Sequence, residues 1–218
     1  MMNTLVERVK SQVYSIFKEE YSGHDFHHID RVFRMATFLQ EQEGGDLEVI
    51  QLAALLHDIS DHKLNGGKLN DGSRVARALL QEHKADVILI DNVCALIDKV
   101  SYKGALVKDE MFNLEGMIVQ DADRLDAIGA IGVARAFAFG GSRNRPMYEP
   151  DEKPQLHTSF QSYAGSQGNT INHFHEKLLL LKDRLHTATA KEIGEKRHQF
   201  MLNFLEQFEQ EWTSEYYD

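Results

Sequence analysis

The chain has 218 residues, a formal net charge of −10, and 42% hydrophobic and 27% charged residues. That balance supplies a sizeable core and argues against a disordered chain. The negative charge argues against a nucleic-acid backbone as partner, which would call for clustered Lys and Arg. It leaves room for a small phosphorylated ligand, because a bound divalent cation can reverse the sign of an acidic pocket. Cys94 is the single cysteine, so no intrachain disulfide can form, which suits a reducing cytoplasm. The opening MMNTLVERVKSQ carries charges too early for a signal peptide. The most apolar stretch, Ala127 to Ala134, is eight residues long, against the roughly 20 that span a bilayer. A cytoplasmic protein without membrane contact is expected.

In chain order, the spacing predicts helices throughout. Leu5, Val9, Val13 and Ile16 form one stripe, opened by Thr4 and Glu7 in the form of a capping box. Ile29, Val32, Phe33, Ala36 and Leu39 form a second, ended by Gly44-Gly45. Asp46 can cap a third helix through Val49, Leu52, Ala53 and Leu56. Further stripes run from Val75 to Leu80, Val87 to Val100, Leu114 to Leu125 and Ala127 to about Phe139. All three prolines, Pro146, Pro150 and Pro154, then fall within nine residues. The polar, aperiodic segment 140–168 reads as a long loop, either a lid or a spacer. Two helices are expected after it, about 170–185 with Phe174, Leu178 and Leu181 inward, and about 189–212 with Phe200, Phe204 and Phe208 inward. The expectation is a single all-α domain over residues 1–218, with a core at about 20–130 and C-terminal helices at about 169–213.

Four groups carry chemistry: His28 opening the second helix, the doublet His57-Asp58 ending the third, and Asp123 in QDADRLD. Two neutral imidazoles and two carboxylates make a mixed nitrogen and oxygen site suited to a borderline or hard divalent ion. Open positions on such an ion can take a water and a phosphate oxygen, and the ion lowers the pKa of that water until it becomes a nucleophile.

The ordered set HHIDRV, ALLHDISDH and QDADRLDAIG resembles the HD superfamily of metal-dependent phosphohydrolases, whose pattern is H…HD…D. LIDKVSYKG, DAIGAIGVAR and NHFHEKLLLLKDRLHTATAKEIGEKRHQFM extend the likeness to the small bacterial YpgQ/YedJ-like group. The resemblance implies an HD-domain helical bundle and one metal held by His28, His57, Asp58 and Asp123. His28 is taken over His27 because the family's ligand stands four residues before a helical valine, here Val32. Asp123 is taken over Asp121 and Asp126 from the family's Asp-x-Leu pattern. His24 is a weaker alternative. Mn²⁺ is the expected ion, with Mg²⁺, Fe²⁺, Zn²⁺, Ni²⁺ and Co²⁺ as alternatives.

Asp61, four residues after His57, can orient that imidazole or take the proton of the attacking water; capping its helix is the plainer role. Asp58 is the other carboxylate at the reacting centre. Positive groups are needed where charge builds on a phosphoryl group, and Arg31, Lys68, Lys103, Arg124 and Lys177 are the candidates. Asp121 and Asp126 read as surface charges or as supports for the ligands. Gly129 and Gly132 read as close helix packing and Cys94 as a buried thiol. The resemblance implies hydrolysis of a nucleotide, in particular a (deoxy)nucleoside triphosphate cleaved to monophosphate and pyrophosphate. Nucleoside monophosphatase or cyclic-nucleotide phosphodiesterase action is the alternative within the enzyme class. A metal-retaining, nucleotide-sensing module without turnover is the alternative outside it. The acidic tail FLEQFEQEWTSEYYD could cover the core or form the contact of a homodimer.

Overall fold

A computed structural model describes residues 4–19, 25–59, 71–100, 113–156 and 168–214. Among these residues the chain forms nine α-helices, α1 (Leu5–Phe17), α2 (Phe26–Glu43), α3 (Leu47–Leu56), α4 (Gly72–Glu82), α5 (Val87–Val100), α6 (Leu114–Asp126), α7 (Gly129–Ser142), α8 (Thr170–Glu176) and α9 (Ala188–Thr213), and no strand. The protein is all-α, as expected. The chain divides into two compact units, residues 1–102 with 108–123, and residues 103–107 with 124–218. None of the described helices is long and apolar enough to cross a membrane.

In the first unit, α3 is the central element. Val49, Ile50 and the run Leu52 to Leu56 are all buried, so the helix is enclosed on every side. It packs against α1, α2 and α5, while α4 packs on α5. Helix starts follow local rules. Thr4 and Glu7 close a capping box, and the Asp46 carboxylate accepts from the amides of Glu48 and Val49. Gly44, at φ +87°, turns the chain out of α2. In α1, however, the buried set is Val9, Val13 and Phe17, with the expected Ile16 half exposed. A spacing of four keeps Phe17 above Val13, whereas Ile16 falls toward the flank of the helix.

In the second unit, α7 packs against α8 and α9. The expected helix over about 170–185 stops at Glu176. Lys177, at φ −141° and ψ −61°, breaks it, and two 3₁₀ turns follow at Leu178–Leu180 and Lys182–Arg184. Residues three apart eclipse in a 3₁₀ turn, which suits the inward Leu178 and Leu181, while Leu185 is buried after the second turn. On α9 the inward set is Ala190, Gly194 and Met201. Phe204 and Phe208 extend it into an aromatic ladder with Phe137, Tyr148, Phe174 and Trp212. Phe200, expected on this face, lies one step round the helix and is exposed. Of the long loop, residues 143–156 are irregular, but 140–142 complete α7.

Candidate metal centre

The geometry starts at two helix ends. Asp25 caps α2, its Oδ1 accepting from the His28 amide at 2.8 Å. The cap fixes the first turn, so that His28 is buried while His27 points outward. His57 follows the last residue of α3 and inherits that helix's enclosure. Its Nδ1 lies 2.8 Å from the Ala54 carbonyl oxygen. A carbonyl can only accept, so Nδ1 carries the proton and the neutral ring presents the Nε2 lone pair to the interior. Second-sphere bonds of this kind orient metal-bound histidines.

The Nε2 atoms of His28 and His57 stand 3.3 Å apart. Asp58 Oδ2 lies 3.4 Å from the first and 3.5 Å from the second. Asp123 Oδ1, reaching in from α6, lies 3.6 Å and 3.8 Å from them. His28, His57 and Asp58 form the tightest group, with ligand atoms all within 4.8 Å of one another. Ligands about 2.1 Å from one ion stand roughly 3.0 Å apart at octahedral corners and roughly 3.4 Å apart at tetrahedral ones. The observed separations, 3.3 to 3.8 Å, bracket the tetrahedral edge and exceed the octahedral one by less than an ångström. Two lone-pair nitrogens and two carboxylates converging in this way would repel one another without a positive charge between them. The donor set therefore fits a divalent cation, and four protein ligands leave room for solvent on a six-coordinate ion.

The other expected site residues are distributed unevenly. Arg31 is half-buried on α2, one turn beyond His28. Arg124 is buried, and its Nη1 donates to the Arg184 carbonyl and lies 3.3 Å from His186 Nε2. Lys177 marks the end of α8. Asp61, Lys68, Lys103 and the alternative His24 lie outside the described residues. Asp121 and Asp126 are not surface charges, since both are buried. The Asp126 carboxylate receives Arg135 Nη1 at 2.8 Å. Cys94 is buried, and desolvation pushes its thiol pKa up. Sequence reasoning missed two positioning groups, the Asp25 cap and the Ala54 carbonyl. An aspartate just ahead of a helical stripe is a readable cap signal; a backbone carbonyl leaves no letter to read.

Comparison with known proteins identifies the family. Residues 25–128, which hold all four groups, match the HD domain family. The chain is 38% identical to YpgQ of Bacillus subtilis over 212 residues, covering 94% of this chain and 92% of that protein. A crystal structure of B. subtilis YpgQ in complex with ADP superposes with a TM-score of 0.74 at 35% identity, covering 94% of this chain and 97% of that one. An HD-superfamily hydrolase from Bacillus thuringiensis gives a TM-score of 0.74 at 40% identity, with 96% and 97% covered. A Lactobacillus plantarum protein gives 0.87 at 33% identity, with 99% and 100% covered. HD domains bind divalent metals, and this chain carries the His-His-Asp group for one. The chain is a hydrolase that belongs to the HD superfamily, within its YpgQ-like group.

Proposed function

We propose that the protein is a metal-dependent phosphohydrolase of nucleotides that cleaves a (deoxy)nucleoside triphosphate to the monophosphate and pyrophosphate. His28, His57, Asp58 and Asp123 would hold the metal, with Mn²⁺ as the expected ion. The observation that carries the reading is the meeting of two Nε2 atoms and two carboxylate oxygens, every measured nitrogen-to-ligand separation among them lying between 3.3 and 3.8 Å. The ADP complex of B. subtilis YpgQ supports a nucleotide as the substrate class.

When bound, a divalent ion at this centre supplies a water of lowered pKa and neutralises charge on a phosphate oxygen. The protein's residues supply the rest. His57, held by the Ala54 carbonyl, keeps its lone pair aimed at the centre and cannot turn its proton toward it. Asp123 and Asp58 are partly open to solvent and flank the region where a phosphate would enter. Arg31 stands one turn from His28, close enough in sequence to steady an anionic group at the mouth. Asp61 is assigned as the acceptor of the water's proton from its spacing to His57.

The test is a panel of nucleoside and deoxynucleoside mono-, di-, tri- and cyclic phosphates, assayed with Mn²⁺, Mg²⁺, Zn²⁺ and Co²⁺ and resolved by product. Pyrophosphate with a nucleoside monophosphate is the expected outcome. Orthophosphate from monophosphates, or opening of a cyclic phosphate, would select the alternative chemistries. Inactivity across the whole panel would leave a sensing module.

A further inference from the structure

Asp123 differs from the other three members of the centre in how it is held. Asp25 fixes the turn of His28, Ala54 orients His57, and Asp58 is next to it in the chain. Among the described residues, the ion-pair partners of the Asp123 carboxylate are the two imidazoles. Its direction therefore depends on the backbone of α6, and Asp123 stands in the last turn of that helix. That turn is closed by bonds from residues three positions on, the Ala127 amide to the Arg124 carbonyl at 3.2 Å and the Ile128 amide to the Leu125 carbonyl at 3.3 Å, whose geometry is poorer than that of the α-helical bond.

Asp123 is the last residue of the first unit, and the rest of the turn, which belongs to the second, is clamped there. Arg197 of α9 donates from Nη1 to the Leu125 carbonyl, which accepts from the Ile128 amide as well. Arg197 reaches it because Gly129, at φ +78°, leaves no Cβ in the way: a Cβ there would lie 3.0 Å from Arg197 Cβ and Cγ. Gly194 of α9 serves the same approach, since a Cβ at that position would meet Leu185 at 2.3 Å and Leu125 at 3.8 Å. Asp126 places a negative charge at the negative end of the helix dipole, an unfavourable position. Arg135 answers it at 2.8 Å, and the charge of Asp126 bears on Arg197 as well. The glycines of DAIGAIG and the Arg of EIGEKR, which the metal centre leaves unexplained, thus converge on one helix end.

We propose that Arg197 is a positioning residue for Asp123: it draws in the Leu125 carbonyl, fixes the last turn of α6, and so sets where the fourth carboxylate points. The inference rests on the reading of the four residues as a metal site. Loss of the clamp lets the turn fray and lowers the occupancy of the correct Asp123 direction, which weakens ion binding before it changes anything else at the centre.

The experiment titrates Mn²⁺ into the full chain and its variants, following free Mn²⁺ by electron paramagnetic resonance, with thermal unfolding measured in parallel. Arg197→Ala should weaken Mn²⁺ binding about tenfold or more, in the range seen when supports of metal ligands are removed. Arg197→Lys, which keeps one donor, should recover part of it. Asp126→Asn should act in the same direction, with turnover returning toward the wild-type rate at saturating Mn²⁺. Phe208→Ala, in the aromatic ladder of the same unit, supplies a comparable loss of stability and should leave Mn²⁺ affinity unchanged. If Arg197→Ala and Asp126→Asn both bind Mn²⁺ within twofold of wild type, or if Phe208→Ala weakens binding equally, the proposal fails. A wild-type chain that takes up no Mn²⁺ or any other divalent ion would instead overturn the site itself. The two failures are therefore distinct.

Discussion

His28 and His57 stand twenty-nine positions apart in the chain, yet their Nε2 atoms face each other across 3.3 Å with the rings nearly perpendicular, at 74°. One proton or one metal ion can reconcile the two nitrogens. The Asp58 and Asp123 oxygens near both of them favour the ion, because two carboxylates add charge that a lone proton would not balance. His57→Ala or Asp58→Ala should then lower bound metal from about one ion per chain to a small fraction, and abolish turnover. Elemental analysis of protein purified with Mn²⁺ decides it; full occupancy in both variants would exclude these ligands.

Metal binding should also appear as stability, since the four donors cannot be arranged in an unfolded chain. An ion present at about 100 times its Kd adds roughly 2.7 kcal/mol. Chelator treatment should therefore lower the Tm of the wild-type protein by several degrees, and Mn²⁺ should restore it. His28→Ala should remove the shift in both directions.

Asp61 is expected to act on the proton of the attacking water rather than on the ion. Asp61→Asn should lower kcat about 10²- to 10⁴-fold, the usual contribution of a positioned base, with metal content unchanged. A fall in metal content equal to that of Asp58→Ala would move Asp61 into the ligand set.

What was legible in the sequence depends on the kind of signal. Capping is local, so the roles of Thr4 and Asp46 follow directly from their neighbours. The bounds of α5, Val87–Val100, coincide with its apolar stripe. Faces were less legible, because Ile16 and Phe17, or Phe200 and Met201, are both apolar, and only packing chooses between adjacent positions. The break at Lys177 was hidden for a related reason. Leu178 to Leu181 is apolar without a polar face, so neither an α-helical nor a 3₁₀ period stands out. At the centre, the side-chain donors are letters in a motif, whereas the Ala54 carbonyl and the contacts holding the end of α6 arise only once the chain folds.

Asp46 offers a check on local stability away from the chemistry. Its carboxylate accepts from two amides at the start of α3, at 3.0 and 3.1 Å, and α3 is the enclosed helix that leads into the His57-Asp58 doublet. Asp46→Ala should cost about 1 kcal/mol, the typical value of an N-cap. The measurement is the shift in urea midpoint at unchanged m-value.

Two glycines of α7 should respond to alanine with opposite signs. At Gly132 a Cβ would stand 2.2 Å from the Ala127 carbonyl oxygen, a backbone atom that cannot swing aside as a flexible side chain would. Gly132→Ala must therefore displace α7 from the end of α6, and overpacking of this kind costs roughly 1–3 kcal/mol or more. At Gly141 nothing lies within 4 Å of the added methyl, and the residue is helical. Alanine there restricts the unfolded chain and adds no clash, so it should stabilise by up to about 0.5–1 kcal/mol, less if the helix end frays. Thermal unfolding of the two variants at matched Mn²⁺ concentration checks the pair. A Gly132→Ala protein as stable as wild type would mean that α7 does not approach Ala127 this closely, and the close-packing account of the DAIGAIG glycines would fall with it.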